Sequence, residues 1–123
     1  MAARLRPLFT ENFAANLESV RLFLEPDGRS AFRSLLDRLF DDIVPTLCRF
    51  PQSGRSFLAH IVRSLEAQAL LKRLKDVLRK EDDLREFVVD DYIILCLVRR
   101  GRIYFLAIRH HRQLSFDFRR LWP

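Results

Sequence analysis

LREFVVDDYIILCLVRRGRIYFLAIRHH, residues 84–111, is the stretch whose reading decides the fold. It divides into Leu84–Asp90, Tyr92–Arg99 and Arg102–His110, each rich in the Val, Ile, Phe and Tyr that suit a pleated, half-buried surface. The central segment, YIILCLV, is apolar at odd and even positions alike, so it reads as an interior strand covered on both faces. Between the last two segments stands Arg100-Gly101, where glycine supplies a positive φ, and a tight hairpin is predicted there. The seven residues Tyr92–Val98 are the longest wholly apolar run, far short of the roughly 20 a spanning helix needs. No membrane span is therefore predicted.

Upstream, the periodicity changes from two to between three and four. After a short extended start over Leu5–Phe9, broken by Pro7, Thr10 occupies an N-cap position, and Phe13, Leu17, Val20 and Leu24 follow at helical spacing. Pro26-Asp27-Gly28 ends that helix near Glu25. A second helix is predicted from Ser30, with Phe32, Leu35, Leu36, Leu39, Phe40, Ile43, Val44 and Leu47 forming a stripe wide enough to pack on a sheet. Pro45 should kink or loosen its last turn, leaving Phe50–Arg55 as a loop. Ser56–Lys80 repeats the helical spacing, and Glu81-Asp82-Asp83 closes it, because an acidic trio is unfavourable at a helix C-terminus. The order, strand, helices, then a strand meander, is an α+β pattern. The expected architecture is a helical hairpin plus an extra helix packed on one face of a small antiparallel β-sheet.

The 123 residues, 49% of them apolar, suffice for one core and are few for two, so a single domain over 1–123 is expected. Net charge is +6, with arginine predominating among the cations, and a planar guanidinium fork suits carboxylate or phosphate. The acids cluster at 41–42, 81–83 and 90–91, while the C-terminal segment is basic and is where an anionic partner would dock. Cys48 and Cys96 sit in apolar runs and read as buried thiols, with neither a disulfide framework nor a metal site implied. His60, beside Ile61 and Val62, has no second ligand at metal spacing. No cofactor is expected. MAARLRPLF lacks the continuous apolar stretch of a secretory signal, which makes the cytoplasm the default compartment.

Four pieces carry a family likeness, in order: ENFAANLESVRLFL (11–24); the long helix closing on LCRFPQSGR (47–55); LREFVVDDYIILCLV (84–98); and RIYFLAIRHHRQLSFDF (102–118). Each alone encodes an ordinary helix or strand. Together they resemble the RelE/ParE superfamily of type II toxin–antitoxin toxins, the ParE-like, plasmid-stabilisation type in particular. Residues 56–83 look longer than the corresponding connection and are taken as a helical insertion. The resemblance implies a toxin neutralised by a cognate antitoxin, leaving open a homodimer or a hetero-oligomer with it. It also implies one of two targets, DNA gyrase bound by protein contact or messenger RNA cut in the ribosome.

Metal-independent RNA cleavage needs a base, an acid and cations for the developing phosphorane charge. Arg85, Arg109 and His110 are the candidates, with His111 beside them. In a strand ending IRHH, alternation puts Arg109 and His111 on one side and His110 on the other, which weakens a joint catalytic role. RelE-like nucleases tend to carry an arginine just after the aromatic of the middle strand, where this chain has Ile93 and Ile94 after Tyr92; Lys72, Lys75 and Lys80 fall in the insertion. The gyrase-binding branch is thus favoured over the endoribonuclease, with an inactive or nucleic-acid-binding domain of the same fold as a further alternative. The residues assigned to target or antitoxin binding are Arg109, His110, His111, Arg112, Phe118 and Trp122. The bland reading of 109–112 is a solvated basic strand end, and of Arg85 a surface ion pair worth about 0–1 kcal/mol. Phe116 suits packing back on the core, whereas Trp122, just after Arg119 and Arg120, suits an interface anchor.

Overall fold

The computed structural model describes residues 4–24, 29–53, 55–56, 72, 78–110 and 112. In chain order these form β1 (Arg6–Phe9), α1 (Glu11–Leu24), α2 (Arg29–Arg38), a π turn (Leu39–Ile43), α3 (Val44–Arg49), a 3-10 turn (Pro51–Ser53), β2 (Arg55–Ser56), β3 (Asp83–Val89), β4 (Tyr92–Arg99) and β5 (Arg102–His110). The strands make one sheet in the order β1-β5-β4-β3-β2. β4 is interior, and its Ile94, Leu95, Cys96 and Leu97 are buried on both faces, as the unbroken apolar run requires.

The α+β architecture is the one the sequence predicts, with one difference in strand direction. β2 to β5 pair antiparallel, but β1 runs parallel to β5, so the sheet is mixed. Two backbone bonds hold β1 in place: the Leu5 N–H donates to the Cys48 carbonyl at 2.9 Å and the Arg6 N–H to the Gly101 carbonyl at 3.0 Å. Pro7 lacks a donor and is accommodated because β1 is an edge strand. β2 falls within the segment read as a loop and its immediate continuation; it pairs with Arg85 and Glu86 of β3. The helical insertion expected over 56–83 lies largely outside the described residues. At its end, residues 80–81 form a turn, and Asp83 already belongs to β3.

Thr10 caps α1 as predicted, its Oγ1 accepting the Phe13 N–H at 3.1 Å. The loosened turn near Pro45 is the π turn, in which the Val44 N–H bonds the Leu39 carbonyl, five residues back. Pro45 then falls in the first turn of α3, where its missing N–H costs little. The extra residue in this turn keeps Leu35, Leu39, Ile43 and Leu47 directed at the sheet, although a regular helix would rotate a four-residue repeat away. They share one core with Phe13 and Val20 of α1 and with Phe87, Ile94, Cys96, Ile103, Phe105 and Ile108 of the sheet. Leu39 is fully buried, and its truncation to alanine would cost about 2–5 kcal/mol.

The two hairpin tips differ. Arg99 pairs with Arg102 across a two-residue loop whose Arg100 and Gly101 both have positive φ, 45° and 76°, the type I′ geometry that matches strand twist. Val89 pairs with Tyr92 across Asp90-Asp91, where Asp90 has φ 53°. Asp90 also pairs with Arg38 at 2.5 Å, tying this tip to α2.

Candidate functional site

The C-terminal end of β5 carries most of the described site residues, and its geometry is set by an irregularity at the fifth residue of the strand. β4 and β5 pair in register from Arg99–Arg102 to Cys96–Phe105, then resume at Leu95–Ala107, which leaves Leu106 as a bulge. β1 ends at this level, because Phe9 pairs with Phe105 and the chain turns into α1. The backbone of β5 beyond Phe105 is therefore served by α1 side chains. Thr10 Oγ1 donates to the Phe105 carbonyl at 3.0 Å, Asn12 Nδ2 to the Leu106 carbonyl at 2.9 Å, and Asn16 Oδ1 accepts the Ile108 N–H at 3.0 Å. Asn12 Nδ2 also donates to Asn16 Oδ1 at 3.3 Å. All three side chains belong to buried residues, so the bonds replace ladder partners that water cannot supply.

The bulge shifts the alternation of β5 by one. Ile103 and Phe105 face the helices, and so do Ile108 and, beyond it, His110. His110 is only 8% exposed; its ring meets Tyr92 edge-on and Phe23 at a tilt, both at 5.2 Å between centroids. Its Nδ1 accepts the Arg112 N–H at 3.2 Å, so a neutral ring carries its proton on Nε2. Burial, and then the nearby Asp91 and Asp90 carboxylates, raise the Tyr92 phenol above its ordinary pKa. Arg109 is half-buried on the opposite face, in register with Ile93 of β4. The opposite placement of Arg109 and His110 is the one read from the sequence; the burial of His110 is not.

Arg85 is not part of this end. It lies on the helix-facing side of β3, its Nε donating to Asp83 Oδ2 at 2.8 Å and its Nη2 to Gln52 Oε1 in the 3-10 turn. It pairs in register with Cys96, whereas His110 pairs with Tyr92, four residues along β4. At about 3.3 Å per residue this puts the two about 13 Å apart along the strands alone. Arg112 is exposed. His111, Phe118 and Trp122 lie outside the described residues, as do His60 and Phe116. Among the described residues no group of His, Cys, Asp and Glu side chains is arranged to hold a metal ion, and no helix is long and apolar enough to cross a membrane.

The residues the sequence reading missed are Asn12, Asn16, Phe23 and Tyr92. Asn16 had a signal, since it falls among Phe13, Leu17 and Val20 on the apolar face of α1, where a polar side chain needs a partner. A second concavity, a cleft of about 550 Å³, separates the long helix from β3 and is lined by residues that include Arg38, Thr46, Ser53, Glu86 and Val88.

A mixed sheet with a helical layer built from α1, α2 and α3 on one face is consistent with the RelE/ParE-like class of toxins. Residues 8–115 match the family model described as "ParE toxin of type II toxin-antitoxin system, parDE", and the chain belongs to that family. Comparison with curated proteins finds no match.

Proposed function

We propose that this type II toxin acts by binding and inhibiting DNA gyrase, without catalysis of its own, and that a cognate antitoxin neutralises it in the cytoplasm. The observation that carries the reading is the dispersal of the nuclease candidates. His110 is buried between Tyr92 and Phe23, Arg109 is on the other face, and Arg85 is tied to Asp83 and Gln52 more than a strand-width away. A general acid and base must reach the same reacting phosphate within hydrogen-bond distance, and these three groups do not converge on one. The basic strand end around Arg109 and Arg112, with the tail residues His111, Phe118 and Trp122, suits recognition of a protein partner instead. On this reading residues 1–123 act as one domain with a helical insertion.

The test is gyrase supercoiling with purified toxin and no ribosome. Inhibition, or accumulation of cleaved DNA, that antitoxin reverses is the expected result. Unaffected gyrase together with cut ribosome-bound messages would establish the RelE-like endoribonuclease, and an R109A/H110A double variant would then lose cleavage. A chain that is harmless on induction and affects neither target would be an inactive or repurposed domain of this fold.

A further inference from the structure

At the end of the sheet opposite His110, three arginines stand side by side on three adjacent strands. Arg6 of β1 is in register with Arg102 of β5, and Arg102 with Arg99 of β4. Residues in register share a face, and here it is the face away from the helices, since Val98 and Ile103 face the core on the other side. At about 4.8 Å between strands the row spans about 10 Å. Like charges directly opposite in a sheet destabilise it, so a row placed only for structure would be expected to carry compensating acids. Arg99 has one: Asp82 accepts its Nε at 2.8 Å and its Nη2 at 2.6 Å. Arg6 and Arg102 are exposed and have no acidic partner among the described residues.

The surroundings extend the same charge. Arg99 and Arg100 line a cleft of about 180 Å³ with Arg79, Lys80, Glu81 and Asp82, giving four cations against two acids. Tyr104 lies two residues beyond Arg102 on the same face, in register with Leu8. The other hairpin tip, by contrast, is Asp90-Asp91, with Asp41 and Asp42 exposed on the neighbouring π turn. The Arg100-Gly101 tip is thus basic where the Asp90-Asp91 tip is acidic, and a basic patch attracts an anionic surface from a distance.

We propose that the Arg6–Arg102–Arg99 row is a docking surface for the phosphate backbone of double-stranded DNA. A protein interface of high affinity needs a buried aromatic or aliphatic anchor; of the exposed large apolar residues, Leu22, Phe23, Phe40, Phe50 and Val88 lie on other elements or strands than this row, and Phe9, on β1, is on the opposite face, its ring stacked on Phe105. A flat array of guanidinium forks matches a duplex, which presents one negative charge per about 1.7 Å of axis. The biological use rests on the gyrase reading, in which the row gives the toxin a second foothold on the DNA that gyrase holds. The binding itself does not, and is measured without gyrase.

The experiment follows a fluorescent duplex of about 24 base pairs by anisotropy, with the full chain, over about 50 to 200 mM KCl. Relative to the parent chain, R6A/R102A should bind about tenfold more weakly at the low-salt end and lower the slope of log K against log salt by about 2. R6Q/R102Q, which keeps polar side chains at both positions, should behave alike, with circular dichroism checking that both variants are folded. R29A/R33A removes the same charge from α2 and should leave the slope nearly unchanged. Absence of binding at low salt, or equal losses in the R6A/R102A and R29A/R33A variants, would overturn the proposal. So would poly-glutamate that displaces the duplex through the same two arginines at equal charge, because the surface would then be one for acidic protein. Should gyrase prove unaffected while the slope behaves as stated, the gyrase reading alone would fall.

Discussion

Replacing Asn16 by alanine takes away the acceptor that Ile108 uses on the side of β5 facing α1. Asn16 is 3% exposed, and its Oδ1 lies 3.0 Å from the Ile108 nitrogen and 3.3 Å from Asn12 Nδ2. β1 has ended three residues earlier, at the level of Phe105, so among the described residues no neighbouring strand is in place to take over the Ile108 N–H. A buried donor left without a partner costs about 1–3 kcal/mol, and the weaker bond from Asn12 adds about 0.5–1.5 kcal/mol. The expected loss is about 2–4 kcal/mol, a large part of a typical stability of about 5–15 kcal/mol. Urea unfolding at neutral pH measures it, with Ser19→Ala as a control on the exposed face of the same helix, expected within about 0.5 kcal/mol. Amide exchange supplies a second readout, because protection at Ile108 should fall more than at Ile94, its partner in β4. A loss below about 1 kcal/mol with Ile108 still protected would show that the asparagine pair does not hold the bulged strand, and the reasoning would fail.

Three further outcomes follow from single contacts. Gly101→Ala meets no atom within 4 Å, so its cost is conformational alone, about 1–2 kcal/mol for a side chain at φ 76°, whereas Arg100→Asn at φ 45° should gain about 0.5 kcal/mol; thermal melts of both variants check the pair. The bonds from the Arg99 guanidinium hold the Asp82 carboxyl below the usual carboxylate range. A lowered folded-state pKa means this stabilisation is complete above about pH 4 and is lost as pH falls through the folded value. Asp82→Asn should therefore cost about 1.5–3 kcal/mol in urea at pH 7, and the gap to the parent should close in strong acid. Burial pushes the Cys96 thiol well above its ordinary range and raises Cys48 as well. Both should resist a thiol reagent in the native protein and react on unfolding, which a colorimetric thiol titration reads.

Much of the fold was legible because local chemistry and tertiary structure agree. Val, Ile and Phe density defines β3 to β5, the doubly apolar Tyr92–Val98 run places β4 inside, Arg100-Gly101 marks the type I′ turn, and Thr10 marks the start of α1. The direction of β1 was not legible, since four residues of strand carry no signal for the partner they will join; bonds to Cys48 and Gly101 decide it. Nor was β2, whose two residues are a strand only because Arg85 and Glu86 lie beside them. Pro45 announced a disturbed helix but not its form, because a π turn upstream and a kink at the proline both accommodate the same missing donor.

The candidate site was legible in its alternation and not in its phase, and the difference lies in Leu106. Strict alternation from Ile103 and Phe105 would carry Ala107 and Arg109 to the helix face and leave His110 on the other. The bulge spends one residue at Leu106, so Ile108 and His110 take the helix face and Arg109 is turned away from it. Sequence pattern alone cannot time such a bulge, because it is supported by Asn12 and Asn16 more than ninety residues earlier, which bond the Leu106 carbonyl and the Ile108 N–H. The same two asparagines that anchor α1 thus decide which basic side chain is packed against Tyr92 and which is turned to the opposite face. A charged guanidinium in the His110 position would sit between Phe23 and Tyr92, where burial disfavours charge, and the histidine can occupy it in neutral form. The bulge therefore couples core stability to the face that Arg109 takes, and on the proposed reading of this strand end as a recognition surface, that surface would depend on a hydrogen-bonded helix that need not touch the target at all.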